Sequence, residues 1–111
     1  MGKYATINPA TGEVVQGFDT MSDAEADRAL TRAHEAYLVW RDIELKERAA
    51  VLGRVADLFR QNATDLAELT TLEMGKPITQ AKREVELSAA IFEYYATTGP
   101  GGRRRRGGPV R

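Results

Sequence analysis

The fold is decided at residues 70–77, Thr-Thr-Leu-Glu-Met-Gly-Lys-Pro, where one helix is predicted to end and the next to begin. Gly75 can adopt the left-handed conformation that closes a helix just after its last residues. Pro77 suits the first turn of a helix, because the N–H that proline lacks has no helical acceptor there. The stretch contains one acid, one base and no nucleophile, so it predicts a helix junction and no chemistry of its own.

Apolar residues recur at helical spacing on both sides of this junction. They predict four helices, at about residues 22–40, 44–61, 63–73 and 77–96. The predicted core stripe of the fourth helix consists of Ile78, Ala81, Val85, Ser88, Phe92 and Tyr95. Ala89, Ile91 and Tyr94 add apolar surface beyond that stripe, which indicates more than one packing partner.

The first three helices carry simpler stripes. These are Ala26, Leu30, Ala33, Tyr37 and Trp40 in the first, Ala49, Leu52, Val55, Ala56 and Phe59 in the second, and Leu66, Leu69 and Leu72 in the third. Ser22 and Glu25 have the spacing of a capping box, in which each side chain bonds the other residue's backbone N–H. Asn62 or Thr64 is predicted to cap the third helix. Gly53, inside the second helix, indicates a close approach by another element.

Residues 4–18 are predicted to form a β-hairpin. Two β-rich segments, residues 4–7 and 14–18, flank the turn sequence Asn8–Glu13. Pro9 fixes its own φ angle, and Gly12 can supply a positive one. The predicted fold class is therefore mostly α with an N-terminal β-hairpin.

Composition limits the kinds of site that the 111 residues can hold. The chain has no cysteine, which excludes disulfides, thiolate metal sites and a cysteine nucleophile within it. His34 is the only histidine and lies in a charged helix, so we interpret it as a structural residue. No apolar run approaches the roughly 20 residues that span a bilayer, and we expect a cytoplasmic chain without a membrane partner.

Residues 98–111 differ from the rest in composition. Residues 101–111 contain five arginines and no acid, which leaves the first 100 residues with a net charge of −5. A segment made almost only of Gly, Arg and Pro buries too little apolar surface to order itself, so it is predicted to be disordered. Three interpretations stay open: a patch that binds nucleic acid or phosphate, a localisation or anchoring signal, and a frameshift-derived sequence that is not native coding sequence.

From Thr6 to about Ala96 the chain resembles the N-terminal segment of the aldehyde dehydrogenase superfamily, and most of all its NAD(P)-dependent succinate-semialdehyde dehydrogenases. The strings that carry the resemblance are Ile7–Glu13, Ala33–Ala36 with Trp40, Glu47-Arg48, Leu72–Pro77, Glu84-Val85 and Tyr94–Ala96. Each string is weak alone, whereas their order and spacing together are specific. In the family, the residues after the Tyr94–Ala96 helix lead to a different kind of loop, which is why we favour the frameshift interpretation of the tail.

The resemblance implies that residues 1–97 are the N-terminal part of a Rossmann-type α/β cofactor-binding domain. The family oxidises aldehydes through a cysteine thiolate, with hydride transfer to NAD or NADP and hydrolysis of the acyl-enzyme. Its cysteine, its base glutamate, its cofactor lysine and its Pro-Trp-Asn motif have no counterparts in these 111 residues. We therefore expect no catalytic, cofactor-binding or metal-binding residue, and no cofactor bound by this chain alone.

The function expected from the sequence is that of a truncated N-terminal piece of an aldehyde dehydrogenase, inactive by itself. The alternative is a small helical interaction module whose basic tail binds nucleic acid or another anion. The acidic body, and the lack of aromatic residues between the arginines, count against nucleic acid as a partner. Since the helices lack a sheet to pack on, we expect self-association through exposed apolar helix faces.

Overall fold

The computed structural model describes residues 3–102 of the chain. Its elements are β1 (Tyr4–Ile7), β2 (Val14–Phe18), α1 (Asp23–Trp40), α2 (Leu45–Gln61), α3 (Ala63–Met74) and α4 (Ile78–Gly102). The predicted fold class, mostly α with an N-terminal hairpin, is confirmed. The predicted binding, localisation and frameshift origin of the tail depend on residues 103–111, which lie outside the described residues.

The hairpin pairs β1 and β2 antiparallel, with Tyr4 opposite Phe18 and an irregularity after Thr6. Asn8 organises the loop between the strands. Its carbonyl accepts from the N–H of Gly12 at 2.8 Å, and its Oδ1 accepts from the N–H of Ala10 at 2.9 Å. Gly12 has the predicted positive φ of 77°, which allows the chain to reverse within so few residues.

Helix α1 begins with the predicted capping box. The N–H of Glu25 donates to Ser22 Oγ at 3.3 Å, and Glu25 Oε2 accepts from the N–H of Ser22 at 2.8 Å. The Ser22 hydroxyl donates to the same carboxylate oxygen. These bonds satisfy donors that a helix start otherwise leaves unpaired. They matter here because α1 has no buried residue and so gains little from tertiary packing.

The capping box predicts that the start of α1 loses stability in acid. Hydrogen bonds from the backbone N–H and then the hydroxyl of Ser22 hold the pKa of Glu25 below its ordinary value. Because the folded-state pKa is the lower one, this stabilisation is complete above the ordinary pKa and is lost as pH falls through the folded-state pKa.

Amide exchange in the first turn of α1, followed from about pH 6 to about pH 2.5 and corrected for intrinsic rates, should show this loss of protection. Glu25→Gln keeps an acceptor oxygen but does not titrate, so it should remove the pH dependence from this turn. Glu35→Gln, in the middle of the same helix, is the control and should leave the dependence in place. An unchanged profile in Glu25→Gln would refute the assignment.

The core lies where α4 packs on α2 and α3. Its buried residues are small: Ala49, Ala56, Ala67, Ala81, Val85 and Ala89. Phe59, Ala63 and Leu66 pack as half-buried residues against Ala67, Ala81 and Val85. Such small side chains let helix backbones approach closely. The predicted close approach at Gly53 is present, since a Cβ there would lie 3.8 Å from the Cβ of Ala96.

Two further contacts join α2 to α4 beside this core. The rings of Phe59 and Phe92 stack with their centroids 5.5 Å apart. On the solvent-exposed side of this contact, Arg60 donates to Glu93 at 3.0 Å and to Glu86 at 3.3 Å. Both bonds raise the pKa of the Arg60 guanidinium, with Glu93 the larger cause. The second half of α4 is thus held to α2 through a stacked aromatic pair and a two-carboxylate ion pair.

The junction at Gly75 ends α3 as predicted. Gly75 has φ 69° and ψ 14°, and its N–H donates to the carbonyl of Thr71 at 2.9 Å. The hairpin loop lies against this point, since a Cβ on Gly75 would lie 3.0 Å from Cγ of Pro9. Gly75 therefore meets two requirements at once: a positive φ and room for the ring of Pro9.

The structure corrects the predicted end of the fourth helix. Helix α4 continues to Gly102, past the predicted end near residue 96, and includes Pro100. Residues 98–102 are therefore helical and not disordered. Adding residues to an existing helix is much cheaper than starting one, and the hydroxyls of Thr97 and Thr98 bond carbonyls of the preceding turn. Pro100 removes only one donor near the helix end.

Three predicted side-chain roles are also wrong. Asn62 stands before α3, but its side chain makes no capping bond and donates to the carbonyl of Leu58 at 2.8 Å. Leu69 and Leu72 are exposed, and Ala67 is the buried residue of α3. Tyr95 is 57% exposed, whereas Ala89 takes the core position on α4. On both α3 and α4 the buried position is an alanine and the larger apolar residue is exposed, because only a small side chain allows the helices to pack closely.

Candidate functional site

The ionisable residues of the described part do not gather into a metal-binding group. Within residues 3–102 no three His, Cys, Asp or Glu side chains lie close enough to hold a metal ion. His34 is exposed on α1, with its ring centroid 6.3 Å from that of Tyr37. Lys76, within the junction, forms an ion pair with Glu84 of α4. This pair has a structural use, since it fixes the start of α4 to the junction.

The shallow depressions on the surface also lack a set of polar side chains that face one ligand position. One of about 460 Å³ lies between the end of β2 and α1, and Asp19, Glu25, Arg28 and Arg32 contribute its charges. Glu25 is already engaged by Ser22. A second of about 380 Å³ lies between the hairpin loop and α3, and Thr71 lines it. The buried Oγ1 of Thr71 has no partner there, but the residue is only half-buried.

Exposed apolar side chains are the main feature of the surface. The stripe predicted for α1 is present but uncovered, with Leu30 69%, Tyr37 55% and Trp40 40% exposed. Both strands of the hairpin expose apolar residues, among them Ile7, Val15 and Phe18. Helix α4 exposes Leu87, Ile91, Tyr94 and Tyr95. Monomeric soluble proteins rarely leave contiguous apolar patches of this kind uncovered, and such patches mark interaction surfaces.

The described residues do not fit a dinucleotide. Such a site needs a parallel strand, a glycine-rich turn and a helix whose N-terminus faces the pyrophosphate. The sheet in residues 3–102 is one antiparallel hairpin, and the turn that precedes α4 follows a helix. The space in front of Gly75 is taken by Pro9, and Lys76 is paired with Glu84.

Comparison with known proteins identifies the class to which this helical segment belongs. The profile of the Aldehyde dehydrogenase family matches residues 2–106, which is nearly the whole chain. This chain therefore belongs to the aldehyde dehydrogenase family, as the strings from Ile7 to Ala96 predicted. The match extends to residue 106 and therefore includes most of residues 98–111.

Individual relatives agree with the family match. Succinate-semialdehyde dehydrogenase [NADP(+)] of Deinococcus radiodurans is 44% identical over 97 residues, which are 87% of this chain and 20% of that enzyme. Glutarate-semialdehyde dehydrogenase of Pseudomonas putida is 44% identical over 80% of this chain and 18% of that enzyme. The chain thus spans about a fifth of the length of these relatives.

A solved structure gives the same result. Succinic semialdehyde dehydrogenase from Streptococcus pyogenes, crystallised with NADP⁺, superposes with a TM-score of 0.83 at 42% identity. The superposition covers 88% of this chain and 22% of that one. The hairpin and helices thus form the same arrangement as a segment of that enzyme. No helix among residues 3–102 combines the length and apolarity needed to cross a membrane.

Proposed function

We propose that this chain is a structural segment of an NAD(P)-dependent semialdehyde dehydrogenase, corresponding to the N-terminal part of its cofactor-binding domain. The observation that carries the proposal is the 44% identity to a succinate-semialdehyde dehydrogenase over 87% of this chain. The match to a glutarate-semialdehyde dehydrogenase at the same identity supports a short aldehyde acid as the substrate class. The role of residues 1–97 in that enzyme is to build and brace the domain.

The 111 residues contain none of the groups that perform the family's reaction, so we propose that they are inactive alone. A covalent mechanism needs its nucleophile, and the sequence has no cysteine. His34 is exposed, and Lys76 and Glu84 pair with each other. We accordingly assign no catalytic, cofactor-binding or metal-binding role to these residues.

An activity assay with binding controls tests this proposal. The purified chain, with succinate semialdehyde or glutarate semialdehyde and NAD⁺ or NADP⁺, should form no reduced nicotinamide above the no-enzyme rate. Titration of the chain with NADP⁺ should show no saturable binding. The full-length Deinococcus radiodurans relative serves as the positive control. Turnover by the 111-residue chain that survives repurification would overturn the proposal.

The uncovered apolar faces lead us to propose that the isolated chain self-associates. Leu30, Val39, Leu87 and Tyr94 are each at least 60% exposed, on two different helices. Removing such surface from water is favourable by about 25 cal/mol per Å². Sedimentation velocity should show a weight-average mass that rises with concentration, and a clean monomer at about 100 μM would contradict the proposal. We further propose a cytoplasmic location, with which the absence of cysteine from the 111 residues is compatible.

A further inference from the structure

Helix α4 carries an exposed apolar face along its second half. Leu87, Ile91 and Tyr94 lie on the side away from α2 and α3, and Tyr95 lies beside them. The exposed fractions of the four residues, in that order, are 60%, 49%, 60% and 57%. We call these four residues the outer face of α4. Each tyrosine combines an apolar ring with a hydroxyl that stays hydrated, which suits the edge of an apolar surface.

The acids of α4 are all neutralised by neighbouring bases. The helix contains three acids, and each forms an ion pair: Glu84 with Lys76, and Glu86 and Glu93 with Arg60. Arg83 is exposed and lies one turn before Leu87 on the same side of the helix. The surroundings of the outer face therefore do not repel an anionic surface.

A cluster of arginines follows the outer face in the sequence. Residues 103–106 are four consecutive arginines, and Arg111 is a fifth. No acid follows Glu93, so residues 94–111 have a net charge of +5. Because α4 continues to Gly102, the helix that carries the outer face leads directly into the four arginines. An exposed apolar face and a dense positive charge are thus neighbours on one stretch of the chain.

This combination favours an anionic lipid surface over nucleic acid. Helices that bind at a bilayer surface use apolar side chains, which enter the headgroup layer, together with basic residues that attract anionic lipids. Single-stranded RNA would use the arginines and could stack on the tyrosines, but Leu87 and Ile91 would stay in water. Only the lipid surface uses both the charge and the aliphatic side chains.

We propose that the outer face of α4 and the arginines after it bind the surface of a membrane that contains anionic lipids. The helix lies along the surface and does not cross it. The expectation of no membrane partner was drawn from the lack of a spanning segment, which binding at the surface does not need. The cytoplasmic leaflet, which faces a chain in the proposed location, is anionic. This binding goes beyond the proposed function and does not depend on it.

Flotation of the 111-residue chain with lipid vesicles tests the role of charge. The probes are phosphatidylcholine vesicles with and without about 30% phosphatidylserine. Binding should be at least about tenfold stronger to the anionic vesicles, and should fall at least about tenfold between about 50 mM and 500 mM salt. Replacing residues 103–106 with glutamine should lower binding at least about 100-fold, because each arginine near an anionic surface contributes roughly fivefold.

A matched set of variants tests the role of the outer face. Leu87→Ser combined with Ile91→Ser should lower binding to the anionic vesicles at least about tenfold, because less apolar area enters the headgroup layer. Leu58→Ser combined with Leu69→Ser is the control, since these leucines are 55% and 47% exposed on α2 and α3. The control should change binding by less than about twofold. If circular dichroism shows that either pair unfolds the chain, the single variants Ile91→Ser and Leu69→Ser replace the pairs, with a loss of at least about threefold expected only for Ile91→Ser.

Three results would rule out the assignment. One is equal binding of the chain to the neutral and anionic vesicles. Another is equal vesicle binding by the outer-face variants and their controls. The third is tighter binding to a fluorescent RNA of about 20 nucleotides than to the anionic vesicles at the same salt, which would assign the arginines to nucleic acid. Aldehyde turnover by the chain would refute the proposed function alone, so the two failures can be told apart.

Discussion

Replacing Ala89 with leucine is expected to lower the free energy of unfolding by roughly 1–3 kcal/mol. Ala89 is completely buried on the side of α4 that packs against α2 and α3. A leucine there must push the helices apart, because the neighbouring space is filled at close-packed density. The separation would also weaken the stack of Phe59 on Phe92. Urea unfolding followed by circular dichroism at 222 nm measures the change.

Ala90 provides the matched control for this prediction. It is the next residue of the same helix and is exposed. Ala90→Leu makes the same chemical change at nearly the same helix propensity, so it should alter stability by no more than about 0.5 kcal/mol. If both variants unfold at the same urea concentration, the packing of α4 described here is wrong.

Replacing Gly75 with alanine is expected to destabilise the chain by about 2 kcal/mol from two separate causes. The φ of 69° is unfavourable for any residue with a Cβ. In addition, that Cβ would lie 3.0 Å from Cγ of Pro9, closer than carbon atoms normally approach. The hairpin loop must then move away from the α3–α4 junction. For a chain of this size, each 1 kcal/mol corresponds to roughly 4–8 °C in melting temperature.

Gly12 allows the two causes to be separated. It also has a positive φ, 77°, but no atom lies within 4 Å of the position of its Cβ. Gly12→Ala should therefore lower the free energy of unfolding by only about 1 kcal/mol, which is the effect of the positive φ alone. In a Pro9→Ala background, the destabilisation caused by Gly75→Ala should decrease to the same value, because the Cγ atom that obstructs the new Cβ is absent. A double-mutant cycle with no coupling between residues 9 and 75 would refute the contact.

The parts of the fold that depend on neighbouring residues could be predicted from the sequence. The capping box of Ser22 and Glu25, the positive φ of Gly12 and the helix end at Gly75 each need only a few residues in a set order. The family resemblance was predictable for a related reason. Two of its six strings, Ile7–Glu13 and Leu72–Pro77, span the hairpin loop and the α3–α4 junction, which depend on neighbouring residues in the same way.

Features that join distant residues could not be predicted in this way. Pro9 and Gly75 are far apart in sequence, and no local pattern connects them. Periodicity placed Tyr95 in the core stripe of α4 and Ala89 outside it, but the helices pack closely enough that only alanine fits. The continuation of α4 through Pro100 was missed because glycine and proline usually end a helix.

The exposed apolar face of α4 could be predicted only in part. The excess of apolar residues at Ile91 and Tyr94 indicated a second packing partner for α4. The extension of that surface to Leu87 and Tyr95 depends on how α4 is rotated against α2, which the Arg60 ion pairs help to fix. The polar residues Gln80 and Arg83, which precede Leu87 on the same side of α4, were visible in the sequence. Their position indicated nothing until the exposed face of α4 was known.

The small side chains of the core affect how the chain responds to temperature. The heat capacity of unfolding rises with the apolar area that unfolding exposes. Here the fully enclosed side chains are alanines, and no large side chain in the described part is completely buried. We therefore expect the isolated chain to have a small heat capacity of unfolding, a free energy of unfolding that varies little with temperature, and a broad thermal transition. The steep, cooperative curve of a typical domain requires the larger apolar residues on α1, α4 and the hairpin to be covered as well.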